Sequence, residues 1–344
     1  MYRVAVQPHL NVKALLLRLV YTDLKLVLLG NLGYFHDDPY SLSLNYYSVA
    51  QGSYFGGGGN FIKGGSQKLS DYLAGYILQN GGKVILKHLV TEIITENNKA
   101  IGVKYKATKN NTSEVITAFA DEIIANAAMP NVANMLLPNK HGKKLLQKIE
   151  NLQTAASLLT IYFGFKKPVK DLGNKYYSTF VYDDSVKTQA DIKTNNQGNF
   201  KNRSFTFVDY SQVDSALASD DKSVGVICCI DYFSDWDKLG KEEYKAKKKE
   251  VAEIFIEKLE KLIPGIKDQI EYYEVGTSKT VARYTLNPQG AVYGFAQTPQ
   301  RVMSEKIQSV DNLHFASAWS KIGGGFSGAI FSGYLCAFDI LRKR

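Results

Sequence analysis

Apolar residues recur at mixed spacings of three and four from Leu10 to Leu29, the pattern of helices with one hidden face. Gly30, Gly33 and the turn-forming run Asp37, Asp38, Pro39 interrupt it, and an aromatic-rich stretch, Leu42 to Phe55, leads into Gly56 to Gly59. Gly64 and Gly65 then precede Ser66, a good N-cap residue. Leu69, Tyr72, Leu73, Tyr76 and Ile77 follow the i, i+3, i+4, i+7, i+8 template, and Gly81 and Gly82 stop that helix. Val84 to Leu86, Val90 to Ile94 and Ala100 to Tyr105 read as short strands separated by turn residues such as Glu96, Asn97 and Asn98. Glu114 to Ala118 and Glu122 to Ala125 extend this meander, the second run apolar enough to be buried on both faces.

Further on, Leu145 to Leu152 reads as helix, and Ser157 to Phe165, Ser204 to Tyr210 and Val224 to Asp231 as strands, the last one buried. Lys241 to Leu262 is a helix: Val251, Ile254, Phe255, Leu259 and Leu262 make one stripe, Lys245, Lys247, Lys248 and Lys249 stay solvated, and Pro264 with Gly265 ends it. The polar run Lys187 to Asn202 reads as a surface loop. Near the end, Leu313 to Ala318 is strand-like and a helix follows from Ser327, with Ala329, Gly333 and Ala337 making a small-residue face that can approach another backbone. There is no internal repeat and no low-complexity tract.

At 344 residues, 45% apolar and 22% charged, the chain has the composition of a globular protein with two domains or one core carrying an insertion. Cys228, Cys229 and Cys336 offer neither metal-ligand spacing nor a disulfide framework, so a reducing compartment is expected. Apolar runs are too short to span a membrane, and Arg18, Asp23 and Lys25 interrupt the leucine-rich start, unlike a secretory signal. The net charge of +9 comes from scattered lysines, which argues for an anionic surface or ligand rather than nucleic acid.

Candidate chemistry concentrates at the C-terminal end. Gly323, Gly325 and Gly328 satisfy G-x-G-x-x-G after a strand, but no second strand has room to follow, so a self-contained dinucleotide-binding unit is not expected there. A glycine turn feeding a helix N-terminus can instead present N–H groups and the positive dipole end to an electron-rich ligand, or can serve only tight packing. His9, His36, His88, His141 and His314 share no motif with cysteines or carboxylates, so no metal site or triad is expected and ordinary structural roles fit them. Asp37 and Asp38 are acid/base candidates by residue type and turn formers by position. Tyr46, Tyr47, Tyr54 and Phe55 suit either an apolar ligand site or a core.

Three segments carry a resemblance. GSYFGGGGNFIKGGSQKLSDYLAGYILQNGGKVILKHLVTEIITENNKAIGV, Gly52 to Val103, resembles the middle of the phytoene desaturase, carotenoid isomerase and retinol saturase group of FAD-dependent oxidoreductases. NLHFASAWSKIGGGFSGAIFSGYLCA, Asn312 to Ala337, is similar to that group's closing flavin-binding motif, and Gly276 to Gly294 resembles the stretch before it. The resemblance implies that Val90, within LVTEI, offers backbone hydrogen bonds to the adenine of FAD. It also implies that Gly323, Gly324, Gly325, Phe326, Ser327 and Gly328 lie against the isoalloxazine and pyrophosphate side, the helix pointing at the ring's O2 edge. Many relatives carry an acidic residue where this chain has Ala318 within FASAW.

The group's opening strand, G-x-G-x-x-G turn and ribose-binding acid find no counterpart near Met1 to Leu29. The implied fold is therefore α/β with mixed α+β character: an incomplete three-layer FAD-binding domain lacking its first βαβ, plus a β-sheet substrate domain covered by helices. The implied division is a helical substrate-side segment at 1–55, FAD-domain helix and strands at 56–128, substrate domain at 129–308, and flavin-binding strand, turn and helix at 309–344.

The implied function is redox or isomerisation chemistry at carbon–carbon double bonds of a carotenoid, retinoid or similar isoprenoid, with no acid or base assigned. The implied partners are an apolar isoprenoid-like molecule, a membrane surface met by Leu10 to Leu29 with Lys13, Arg18 and Lys25, and a complementing N-terminal FAD-binding chain. The expected location is the cytoplasm, peripheral on a membrane. Two alternatives stay open: a non-catalytic partner subunit or apolar-ligand-binding remnant, and an oxidase of amines or protoporphyrinogen.

Overall fold

The computed structural model describes residues 12–13, 19, 21–108, 114–136, 139–301 and 310–342. In chain order its main elements are α1 (Thr22–Leu28), α2 (Leu44–Gly57), α3 (Gln67–Gln79), β1 (His88–Glu96), β2 (Lys99–Ala107), β3 (Ile116–Phe119), β4 (Ile123–Ala125), α4 (Met129–Met135) and α5 (Lys140–Ile149). These continue as β5 (Ser157–Phe165), β6 (Ser178–Val181), α6 (Asp191–Gln197), β7 (Phe205–Asp209), β8 (Ser223–Asp231), α7 (Lys241–Leu262), β9 (Ile270–Gly276), α8 (Ser278–Thr285), β10 (Leu313–Phe315) and α9 (Gly325–Arg342). Most of Leu10 to Val20 lies outside the described residues, so only α1 speaks for the predicted N-terminal helices. Helices and sheets mix as expected of an α/β fold.

Antiparallel β1, β2 and β3 form the predicted meander, turning at Asn97 and Asn98, both at positive φ. β4 stands outside that sheet and pairs in parallel with β10, Leu313 opposite Ile123, which brings the last described strand beside a much earlier part of the chain. The largest sheet is antiparallel, in the order β6-β7-β8-β5-β9.

Alternation along β5 and β8 sorts that sheet's side chains between two layers. Leu159, Ile161, Phe163, Phe165, Phe207 and Ile227 face α7, whose Val251, Ala252, Phe255, Ile256 and Leu259 close the core. Leu158, Phe180, Thr206, Cys228 and Ile230 meet the Leu29–Tyr34 segment on the other side. A second core gathers Ile93, Met129, Val132, Leu145, Leu313 and Trp319 around β1, α4, α5 and β10. A third joins Leu29, Leu32, Leu42 and Tyr47 to Val186 and Ile192.

Four local expectations are corrected. Val84 to Leu86 forms no strand; Ile85 and Leu86 are exposed with nothing to pair against. β4 is not buried on both faces, since Ile124 is 49% exposed. Lys187 to Asn202 is not simply a surface loop: it contains α6, pinned by buried Asn195, which bonds Ser185, Asn202 and Ser204, and by Asn196, whose Nδ2 donates to the Asp37 carbonyl. The last helix starts at Gly325 rather than Ser327.

Ser66 precedes α3 as predicted but caps it with no side-chain bond, and α3 buries none of its residues. Tyr72, Leu73, Tyr76 and Ile77 are exposed, as are Phe119 of β3 and Phe326, Ile330, Phe331, Tyr334, Phe338 and Leu341 of α9. The small-residue face of α9 is also open, with nothing within 4 Å of a Cβ built on Gly333. No helix among the described residues is long and apolar enough to cross a membrane.

Candidate functional site

The glycine turn between β10 and α9 is built from two kinds of glycine. A Cβ on Gly324 would lie 2.6 Å from Tyr293 Cα, one on Gly328 2.7 Å from the Gly323 carbonyl, and one on Gly323 would collide with Gln297 and Arg301. These three are glycines because protein packs against them. Gly323 and Gly325 both take positive φ, +102° and +78°, but Gly325 differs in that nothing lies within 4 Å of its Cβ direction. Gly325, Phe326 and Ser327 are the exposed part of the turn, at the first residues of α9. Val90 lies apart, on the edge strand β1, 36% exposed and beside the irregularity in register between Val90 and Glu92.

Behind the turn lies Arg301. Its guanidinium donates to Gln297 Oε1 and to the Ser320 carbonyl, while its buried Nε has no partner. Burial lowers the Arg301 pKa to about 10. A desolvated cation beside a glycine turn favours an electron-rich group there.

On the other side of Gly324, Tyr293 leads inward. Its phenol is pushed upward, mainly by burial, with Cys228, Tyr46 and Tyr34 adding to the shift. Tyr293 lines a small cavity with Gly33, His36, Ser157, Leu158 and Ile230. Gly33, Leu158 and Ile230 also line a larger, partly open space between the five-stranded sheet and the Leu29–Tyr34 segment. That lining contains leucines, Phe180, Phe205, Tyr34, Tyr182 and the two cysteines but no Asp, Glu, Lys or Arg. Burial pushes the Cys228 thiol to about 12 and the Cys229 thiol well up, so neither is a ready thiolate.

The other sequence candidates are placed as follows. Asp38 is a turn former, its Oδ1 accepting from Tyr40 N at 2.8 Å and its Oδ2 from Lys193 Nζ at 3.1 Å. Asp37 Oδ2 accepts from the Tyr232 hydroxyl at 2.7 Å; burial pushes its carboxyl up, but the His36 ring, that hydroxyl and its own N–H outweigh burial and hold it below the usual range. Tyr47 is core, donating to the Leu28 carbonyl, while Tyr54 and Phe55 are exposed, and none of the four aromatics lines either cavity. His9 lies outside the described residues, His88 meets the Leu86 carbonyl and His314 pairs with Glu122. Among the described residues no group of three or more His, Cys, Asp or Glu could hold a metal ion.

Sequence reading missed Arg301, Ser157 and the environment of His36. Tyr293 had a signal, because it falls within the Gly276 to Gly294 stretch that resembles the group.

The site is thus a glycine turn that opens a helix, beside an apolar cavity backed by a sheet. The model of the family described as flavin-containing amine oxidoreductase matches residues 8–341, and the chain belongs to that family. Among curated proteins it is 29% identical over 83% of its length to a chloroplastic prolycopene isomerase of Arabidopsis thaliana, covering 46% of that protein. It is 24% identical over 93% of its length to an all-trans-retinol 13,14-reductase of Danio rerio, covering 56% of it. The chain thus spans about half the length of the curated relatives it matches. An oxidoreductase of Methanosarcina mazei shares the fold, with a TM-score of 0.63 at 16% identity over 96% of this chain and 68% of that one. The resemblance to the desaturase, isomerase and saturase group is borne out.

Proposed function

We propose that the chain is part of an FAD-dependent oxidoreductase acting on carbon–carbon double bonds of a carotenoid, retinoid or similar isoprenoid, by desaturation, saturation or isomerisation. The observation that carries this reading is the charge-free cavity on the face of the five-stranded sheet away from α7, which shares Gly33, Leu158 and Ile230 with a pocket whose wall, Tyr293, packs on the glycine turn. An amine cation or a tetrapyrrole carboxylate would meet no counter-charge in that lining. A polyene would need none. The relatives that act on prolycopene and retinol support the same substrate class.

The residues fit a flavin at the turn: the open side of Gly325, the exposed Phe326 and Ser327 and the N-terminus of an 18-residue helix all favour an electron-rich edge, with the Arg301 cation behind the turn. Gly323, Gly324 and Gly328 shape the turn from behind, and Val90 at its sheet edge suits the adenine. FAD supplies hydride or electron transfer; this chain's residues position the ring, enclose the substrate and exclude water. In this reading 1–55 and 129–308 form the substrate side, and 56–128 and 309–344 the cofactor side.

The exposed apolar faces of α3, β3 and α9 support a complementing FAD-binding unit that covers them. Leu10 to Leu29 is the proposed point of contact with anionic membranes. Gel filtration of the chain with excess FAD and a micellar polyene tests the core of the proposal. The polyene is expected to co-elute with protein while most FAD is lost; absence of polyene from the protein peak refutes the substrate class, and stoichiometric FAD retention refutes the need for a complementing unit.

A further inference from the structure

The small cavity beside Tyr293 holds two polar side chains that the protein leaves unsatisfied. His36 is 7% exposed, and its Nδ1 accepts from the backbone N–H groups of both Asp37 at 2.9 Å and Asp38 at 3.0 Å. A ring that only accepts at Nδ1 carries its proton on Nε2, a doubly protonated ring beside Asp37 Oδ1, 3.1 Å away, carries one there too, and Nε2 is buried without a partner. Ser157, 2% exposed at the start of β5, has an equally buried and unpartnered Oγ. Both residues line the same cavity, with Gly33, Asp37, Leu158, Ile230 and Tyr293 among its other walls.

Leaving a buried polar group unsatisfied is costly, so two such groups at one cavity call for a polar partner that a pure hydrocarbon does not supply. Their chemistry is complementary to a single oxygen atom. A hydroxyl can accept from His36 Nε2–H and donate to Ser157 Oγ; a carbonyl oxygen can accept from both. The backbone lock on Nδ1 fixes the ring's orientation, so the donor is preorganised. Because the cavity shares Gly33, Leu158 and Ile230 with the apolar space, an oxygen seated here would terminate a chain lying along the sheet.

We infer that His36 and Ser157 form a specificity subsite for one alcohol or carbonyl oxygen on an otherwise apolar isoprenoid, so that the substrate class is oxygenated rather than pure hydrocarbon. This rests on the isoprenoid reading above and narrows it. His36 serves as a fixed hydrogen-bond donor, and no proton transfer is assigned to it.

The test is quenching of intrinsic fluorescence on titrating the 344-residue chain with all-trans-retinol, all-trans-retinal and the hydrocarbon of the same skeleton. Wild type is expected to bind the alcohol or the aldehyde about tenfold more tightly than the hydrocarbon, one decade of affinity. His36→Leu and Ser157→Ala are each expected to bring the ligands to near parity by weakening the oxygenated ones, with hydrocarbon affinity unchanged. His36→Leu also removes the acceptor of two backbone N–H groups, so Ser157→Ala, which breaks no hydrogen bond of the protein, is the deciding variant if the first does not fold. Equal wild-type affinity for all three ligands, or a preference that survives Ser157→Ala, overturns the subsite and leaves the isoprenoid reading standing. Binding of none of the three overturns both.

Discussion

Alanine at Gly325 and at Gly324 separates the two jobs a glycine turn can do. A Cβ on Gly325 meets no atom within 4 Å, so its cost to the fold is backbone strain alone. For an L residue in the left-handed region that strain is roughly 1–2 kcal/mol. A Cβ on Gly324 instead lies 2.6 Å from Tyr293 Cα and 2.8 Å from its Cβ and Cδ1. A side-chain tip could swing away; a Cα cannot without moving its segment. Overpacking of this kind costs about 1–3 kcal/mol, and a clash with backbone belongs at the upper end.

Urea unfolding of both variants, paired with FAD titration followed by flavin fluorescence, reads the two effects independently. Gly325→Ala is expected to lose the smaller amount of stability and at least about one decade of FAD affinity, because its methyl enters the space left for the ring. Gly324→Ala is expected to show the larger fall in urea midpoint. Wild-type FAD affinity in Gly325→Ala refutes the ring-facing assignment of that residue, and a wild-type midpoint in Gly324→Ala refutes the packing argument for its neighbour.

Two further outcomes follow from buried charge. Arg203 is 1% exposed, donates to Asp235 and to the Gly198 and Ile230 carbonyls, and lies 3.7 Å from fully buried Asp231. Arg203→Met is expected to destabilise by about 3–5 kcal/mol in urea, the cost of leaving a buried charge unpaired, and a loss below about 1 kcal/mol would contradict that role. Asp37 has its carboxyl held below the ordinary range, so it contributes stability above the unfolded carboxylate's titration that is lost as pH falls through its own. The stability gap between wild type and Asp37→Asn is therefore expected to shrink as pH drops from 7 to below about 4, and a pH-independent gap refutes the linkage.

The parts of the fold legible in sequence are those whose signal is local. β5 occupies Ser157–Phe165 and α7 Lys241–Leu262, the bounds their patterns predict, because one alternates against a core and the other carries a continuous apolar stripe closed by Pro264 and Gly265. α6 was hidden because its buried side chains are asparagines. Asn195 and Asn196 are held inside by hydrogen bonds to Ser185, Asn202, Ser204 and Asp37, and polar residues satisfied by distant partners look like a solvated loop in sequence. Val84 to Leu86 is the converse, a β-rich run that found no neighbouring strand. The strand β9 and helix α8 within Met129 to Gln308 had too weak a pattern to be read.

The candidate site divides in the same way. Its glycine turn was legible because three glycines at fixed spacing mark a backbone requirement, although only Gly325 among them leaves space open to a ligand. The His36 site was not. A histidine before Asp-Asp-Pro resembles any turn residue until the backbone folds Asp37 and Asp38 N–H groups onto Nδ1 and thereby decides which nitrogen is left to act. The groups that make the leftover nitrogen matter, Ser157, Ile230 and Tyr293, come from three other parts of the chain. Recognition by this residue is a property of tautomer and enclosure together, and neither is encoded in spacing, which is why a subsite can sit among residues that by type alone read as structural.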